Sequence, residues 1–330
     1  MLSTHIGLEK SVKKIKLKKV ALKPAAQKLF AIIDLGTNSV RLDVYRKNGA
    51  QLYRIYRGKN MIRLGDGVFR TGQISKMVMD RTLTLFVSIR KSLNAMGITE
   101  VHAIGTSALR SAKNSKEFLQ MIFRRTGIQV RIISGNEEAQ LIAAGILMNI
   151  DPPKGKYALI DIGGGSTEVS ICQNRRVIKS WSFRLGANRL NQMFYKEGNT
   201  KTPTHDSELD LRKYVRGQLK ELEPLVKKHS IGVAIGSSGT IRAVGKLLKK
   251  MGCKTTPAIS YDVSALVGEI KNMNKSEILN LPGLESKRAD LIIPGSILIE
   301  EILHALRCKK LKFTEFALRD GLLYNVLDQL

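Results

Sequence analysis

The chain has 330 residues, 43% of them hydrophobic and 25% charged, which is the make-up of a soluble globular protein with room for two domains. No apolar run approaches the roughly 18–20 residues that cross a bilayer. Three scattered cysteines without a CxxC pair (Cys172, Cys253, Cys308) argue against a disulfide framework or a zinc site, so a reducing cytoplasm is the expected location. Lys and Arg number 55 against 28 Asp and Glu, a formal net charge of +27. Such a field attracts polyanions without choosing among nucleic acid, anionic lipid and polyphosphate.

Residues 1–28 carry eight lysines and one acid, Glu9, and lack the apolar core of a signal peptide. They are expected to form a mobile basic tail able to contact a polyanion. From Leu29 onward strand and helix patterns alternate. Ala31–Tyr45 (AIIDLGTNSVRLDVY) is an apolar run ending in Asp34, then a polar glycine turn, then an alternating run, and so predicts a β-hairpin. Gln51–Arg57 predicts a third strand and Ser75–Met96 a helix with Leu83, Phe86, Val87, Ile89 and Leu93 apolar. Strand Val101–Ile104 runs into GTSALRSAKN, helix Ser115–Arg125 follows, and strand Val130–Ile133 leads into SGNEEAQLIAAGILM, a turn opening a helix. Asn136 is the expected N-cap of that helix, with Glu137 and Glu138 in its first turn.

Asp151-Pro-Pro-Lys-Gly is expected to close a first domain (29–150), and the scheme then repeats in a second (151–330). Ala158–Cys172 (ALIDIGGGSTEVSIC) is a near-copy of the first hairpin at an offset of 127 residues, pairing Asp34 with Asp161, Gly36 with Gly163 and Ser39 with Ser166. A strand over Val177–Phe183, helices over Ala187–Tyr195 and Glu208–Lys228, and strand Gly232–Ile235 follow. Gly236-Ser237-Ser238-Gly239-Thr240 then forms a third glycine turn before helix Ile241–Lys250. Strands alternating with helices in two matching halves predict two α/β domains with a cleft between them.

The turns carry the chemistry. Glycines admit φ > 0 and close approach to a ligand, and successive turn amides with Ser, Thr and Asn side chains form an anion-binding concavity. An Asp at the mouth of such a turn suits Mg²⁺. Two of them facing across a cleft would grip a phosphate chain from both sides. Thr106, Ser107 and Arg110 should lie at the carboxyl end of a strand, where α/β folds bind ligands, and Arg110 suits bidentate contact with phosphate. Arg319-Asp320-Gly321 sits in or at the start of an apolar helix, where a buried ion pair is the simpler explanation.

Taken together, DLGTNSVRL (34–42), GTSALRSAKN (105–114), IISGNEEAQLI (132–142), LIDIGGGSTEV (159–169), GSSGTIRA (236–243), LPGLESKRADLIIPG (281–295) and ALRDGLL (317–323) resemble, in order, the exopolyphosphatase/guanosine pentaphosphate phosphatase family of the actin-like ATPase and sugar kinase superfamily. The third turn departs slightly from the GTGGT or GASGT forms more often seen there.

The resemblance implies two ribonuclease H-like (actin-like ATPase) α/β domains flanking a cleft, with the last helix (about 316–330) crossing back onto the first domain. It implies Glu138 as catalytic base and Glu168 as a second acid placing water or metal. Asp34 and Asp161 are implied at Mg²⁺, with K⁺ a further candidate ion. Phosphate contacts are implied for Gly36, Thr37, Asn38, Ser39, Arg41, Thr106, Ser107, Arg110, Gly163, Gly164, Gly165, Ser166, the turn 236–240 and Arg319. The expected reaction is removal of terminal orthophosphate from inorganic polyphosphate. The alternatives are guanosine pentaphosphate 5′-phosphohydrolysis, a sugar-kinase-like or ATPase activity, and non-catalytic polyanion binding. Low aromatic content and the basic body favour polyphosphate. With an ordinary pKa of about 4.3, Glu138 is expected to position water more than to accept its proton. A homodimer is allowed by the sequence.

Overall fold

The computed structural model describes residues 28–195, 205–253 and 258–328; apart from Lys28, the expected basic tail lies outside the described residues. Lys28 itself opens the first strand and pairs with Glu100 at 3.0 Å. The first half runs β1 (Lys28–Leu35), β2 (Ser39–Asn48), β3 (Gln51–Met61), α1 (Val68–Thr71), α2 (Lys76–Ala95), β4 (Glu100–Gly105), α3 (Ser107–Ser111), α4 (Ser115–Thr126), β5 (Val130–Ile132) and α5 (Gly135–Leu147). The second runs β6 (Lys156–Ile162), β7 (Thr167–Gln173), β8 (Arg176–Phe183), α6 (Ala187–Phe194), α7 (His205–Leu219), α8 (Glu223–Lys228), β9 (Val233–Ser237), α9 (Ser238–Lys250), β10 (Ala258–Ile259), α10 (Ser260–Ile270), α11 (Lys275–Leu279), α12 (Ala289–Ala305), β11 (Lys310–Phe313) and α13 (Leu318–Leu327).

The strand orders are β3-β2-β1-β4-β5 and β10-β11-β9-β6-β7-β8. In each sheet an antiparallel meander (β1–β3, β6–β8) continues into parallel strands: β4 and β5 beside β1, β9 and β11 beside β6. The two halves are thus topological copies, with β10 added antiparallel at the edge of the second.

Both β1 and β6 are buried on both faces, and their alternation divides the core. Ala31, Ile33 and Leu35 face the outer helical layer of the first sheet, and Ala158, Ile160 and Ile162 that of the second. Phe30 and Ile32, with their counterparts Tyr157 and Leu159, face inward onto one shared core. That core is filled by α5 (Leu141, Ile142, Ile146) and α13 (Leu318, Leu322, Val326), so the two helices lie between the sheets.

These helices pack unusually close. A Cβ on Gly321 would overlap the Leu141 carbonyl, and one on Gly145 would overlap the backbone of Ala317 and Gly321. The Arg-Asp-Gly run therefore has a structural role at each residue. Arg319 pairs with Asp43 of β2 at 2.5 Å, Asp320 accepts the Ala317 N–H at 2.8 Å to cap α13, and Gly321 admits α5.

Two local expectations need correction. Ser134, not Asn136, caps α5: its extended backbone lets Oγ accept the Glu137 N–H at 3.1 Å. The expected helix 208–228 is broken after Leu219, because Pro224 in the first turn of α8 has no N–H to continue it.

Gly321→Ala should lower unfolding free energy by about 3 kcal/mol, since the opposing atoms are backbone and cannot rotate away. Urea denaturation of the variant checks this; a loss within experimental error of zero would mean that the helix pair shifts freely.

Candidate active site

Asp34 and Asp161 continue the inward-facing parity of Phe30–Ile32 and Tyr157–Leu159, so both carboxylates point into the central layer. Beyond each lies a tight turn: the Gly36 N–H donates to the Ser39 carbonyl at 3.1 Å, and the Gly163 N–H to the Ser166 carbonyl at 2.9 Å. Among the described residues, the amides of Thr37, Asn38, Gly164 and Gly165 have no hydrogen-bond partner. They leave two concave sets of donors. The turns abut, since a Cβ on Gly164 would come within 2.7 Å of Thr37 and 2.9 Å of Asn38.

Between them is a cavity of about 80 Å³ lined by Asp34, Gly36–Ser39, Arg41, Thr106, Ser107, Glu138, Asp161, Gly163–Ser166, Ser238, Gly239, Thr240 and Arg288, with Ile142, Ile162, Ala317 and Leu318 completing the wall. No aromatic ring lines it. Its volume is far below the roughly 300 Å³ at which pockets begin to enclose drug-sized ligands.

The structure thus gathers most of the expected residues. Arg110 stands beside the cavity, its Nη1 donating to Glu138 Oε2 at 2.7 Å and to the Ile133 carbonyl at 3.0 Å, with Nη2 3.5 Å from Ser166 Oγ. Glu168 does not line the cavity; it is buried on β7 directly across from Asp161 and accepts a hydrogen bond from Ser182 at 2.8 Å. Three expected residues fall elsewhere. Arg319 is committed to Asp43. Gly236 is inside β9, where any Cβ would meet Ile241. Ser237 donates to the Phe316 carbonyl at 2.7 Å, beside Asp161 but not on the cavity wall.

The twin hairpins carry opposite charges at one matched position. Arg41 sits across from Asp34 and pairs with it at 3.6 Å; the corresponding position across from Asp161 is Glu168. Opposite charges across an antiparallel pair attract and like charges repel. The first turn is therefore internally compensated, whereas the second concentrates negative charge.

Three carboxylates line the cavity and Glu168 lies behind Asp161, and burial pushes all four upward in pKa. Glu138 is raised to about 7, mainly by burial, with Arg110 opposing and Asp34 and Asp161 adding. Glu168 rises well above the usual range by burial and by the charges of Glu138 and Asp161. The ordinary value expected for Glu138 is overturned, because desolvation and like charges both disfavour its anion.

Sequence reasoning missed Arg288, whose guanidinium lies over Gly239, although it stands in the LESKRAD stretch. It also missed Lys59, which burial and the nearby Arg288, Arg41 and Arg242 lower to about 8. The third turn holds Ser238 at φ +89°, a left-handed conformation that a glycine would adopt more easily. Helix α6, expected over Ala187–Tyr195, is present, but its role at the site was missed. Its first amides, those of Ala187, Asn188 and Arg189, donate to the Gly163 and Gly164 carbonyls and brace the second turn. Its side chains reach the first half: Asn188 to Asn38 at 3.0 Å, Arg189 to Ser111 at 3.0 Å and Gln192 to the Gly65 carbonyl at 2.7 Å.

Duplicated actin-like α/β halves, with glycine turns and buried acids meeting at their junction, define a phosphate-handling enzyme of the actin-like ATPase superfamily. The model of the Ppx/GppA phosphatase family matches residues 43–330, and the chain belongs to that family. It is 31% identical over 293 residues to a bifunctional 3-dehydroquinate synthase/phosphatase of Fusobacterium nucleatum, covering 83% of this chain and only 43% of that protein. It is 26% identical over 296 residues to a putative exopolyphosphatase of Haemophilus influenzae, covering 90% of each. The crystal structure of an exopolyphosphatase from Cytophaga hutchinsonii superposes with TM-score 0.82 at 26% identity, covering 92% of this chain and 99% of that one. An Aquifex aeolicus member of the Ppx/GppA family, 23% identical with TM-score 0.72 over 92% of this chain and 99% of its own, shares the fold.

The raised Glu138 value has a consequence for stability. The folded state holds this proton up to about pH 7, whereas an unfolded glutamate releases it near 4.3. The associated stability is fully present below the unfolded value and is lost as pH rises through 7. Glu138→Gln, neutral throughout, should therefore gain stability relative to the native chain between pH 5 and 8. Denaturant midpoints in metal-free buffer test this, and a difference constant across that range would contradict it.

Proposed function

We propose that this chain hydrolyses the terminal phosphoanhydride bond of inorganic polyphosphate and releases orthophosphate. The observation that carries the reading is the pair of abutting amide-lined turns that share one buried cavity with Glu138. Phosphoryl transfer asks a protein chiefly to position groups and to neutralise charge. The free amides of the two turns bind phosphate oxygens from opposite sides, with Arg41 and Arg288 adding charge. Glu138 orients a water in line with the terminal phosphorus and accepts its proton. The bond from that phosphorus to the bridging oxygen breaks, and its electron pair stays on the shortened chain. Raised to about 7, Glu138 is matched to proton transfer at neutral pH. Arg110, bonded to the same carboxylate, fixes its orientation.

The donor set fits a hard divalent cation. Mg²⁺ is commonly held by one or two carboxylates together with substrate phosphate oxygens, and among the described residues no three ligating side chains converge to cage an ion by themselves. Asp34 and Asp161 would hold it, and when bound it supplies neutralisation of phosphate charge. Repulsion among the four acids supports a cation here.

The cavity walls support polyphosphate over guanosine pentaphosphate: beside the three carboxylates and four aliphatic side chains they offer amides, hydroxyls and guanidinium groups, and no ring for a purine to stack on. The basic cluster of Lys59, Arg41, Arg242 and Arg288 supports a long anionic chain continuing outside the cavity.

Glu138→Gln should reduce kcat by roughly 10²–10⁴ with a much smaller change in KM. Phosphate release from short polyphosphate, long polyphosphate, guanosine pentaphosphate and ATP should be greatest with polyphosphate. Near-normal turnover in Glu138→Gln removes that residue from the mechanism, and preferential turnover of guanosine pentaphosphate or ATP overturns the substrate assignment.

A further inference from the structure

A second pocket, of about 620 Å³, adjoins Arg110 and the Ser166 end of the second turn. Its walls include Arg110, Arg184, Arg189, Ser111, Asn136 and Ser166, and no carboxylate lines it. In a centre dominated by acids, this neighbouring space is lined only by neutral and cationic groups.

Arg189 is the telling residue. It is 8% exposed, yet among the described residues it has no acidic partner. Its Nε donates to the Gly165 carbonyl at 2.8 Å, its Nη2 to Ser111 at 3.0 Å, and its guanidinium lies over the Phe69 ring at 4.1 Å. Burial and the nearby charges of Arg184 and Arg110 lower its pKa to about 10. A buried cation crowded by two others is held at a cost that a bound anion offsets. Arg184 is exposed at the rim, free to turn toward such an anion. Guanidinium groups engage tetrahedral oxyanions through paired donors.

The two spaces are near neighbours. Ser107 and Ser166 line both, and the Arg110–Glu138 pair stands between them.

We propose that the arginine pocket formed by Arg110, Arg184 and Arg189 is a second anion site, which binds orthophosphate while a phosphate chain still occupies the carboxylate cavity. The site as a binding site stands on its own geometry; its role in receiving product rests on the hydrolase reading above. Two sources share this chemistry, free orthophosphate and the terminal phosphate of a chain, and the proposal commits to the first.

Calorimetric titration of the full chain with orthophosphate, with no chain present, tests the site without relying on turnover. Arg184→Glu should weaken binding at least about tenfold by reversing one of three charges, and Arg184→Lys should retain most of it. The titration is repeated with the protein saturated by a nitrogen-bridged, non-hydrolysable tripolyphosphate analogue, and orthophosphate affinity should stay within about threefold. In turnover, orthophosphate should inhibit noncompetitively, and Arg184→Glu should raise its inhibition constant far more than KM. Absence of orthophosphate binding, or binding indifferent to Arg184→Glu, overturns the site. Displacement by the analogue overturns the commitment to free orthophosphate. Binding without any polyphosphate hydrolysis would leave the site standing and remove the hydrolase reading alone.

Discussion

The parity of two strands governs this molecule. Side chains alternate along β1 and β6, and the hydrophobic demand on each face fixes the register, because a slip of one residue would turn every apolar side chain to the wrong layer. Phe30 and Ile32, like Tyr157 and Leu159, must face the central helix pair. Asp34 and Asp161, two residues further along, are then carried to the same inner side. The apolar core thus aims the polar chemistry: the packing that stabilises each half also brings the acids to the N-terminal turn of α5, where Glu138 meets them.

Such a cluster opposes folding in the absence of a positive partner, since buried like charges repel in a low-dielectric setting. The structure answers with local measures. Arg41 and Arg110 each contact one carboxylate, and Ser182 donates to Glu168. Close packing of α5 against α13, permitted by Gly145 and Gly321, supplies the rigidity. Helix α6 adds a second join by holding the second turn with its backbone and the first half with its side chains. The site therefore belongs to neither half alone.

Much of this was legible in the sequence because its causes are local. The hairpins follow from alternating runs around a glycine turn, and the offset of 127 residues between them announces the duplication. Helix α2 lies within the range its apolar spacing gives, with Ser75 and Met96 at its caps. What could not be read depends on distance or burial. Arg319 meets a residue 276 positions away in Asp43, and nothing near either one signals it. The shift in Glu138 arises from desolvation and from carboxylates on other elements, neither of which a motif contains. The contacts of α6 are similarly long-range. Ser134 caps α5 although Asn136, two residues on, is an equally good capping residue, and backbone geometry alone separates them.

The contrast between a strongly basic chain and an acidic centre suits the proposed polyanionic substrate. Long-range attraction depends on net charge, which is +27, and concentrates anionic chains near the surface. Contact specificity depends on what lies within a few ångströms, and there the charges are ordered. Lys59, Arg242 and Arg288 stand toward Arg41; the acids follow; and Arg110, with Arg184 and Arg189, closes the far side. A uniformly basic cleft would hold a phosphate chain without distinguishing its end. Interrupting the positive charge with four carboxylates creates one place where phosphate is unwelcome unless a cation or a proton intervenes. The twin position occupied by Arg41 in one hairpin and Glu168 in the other gives that place a direction, so that a duplicated fold, symmetric in its backbone, acquires two unlike sides.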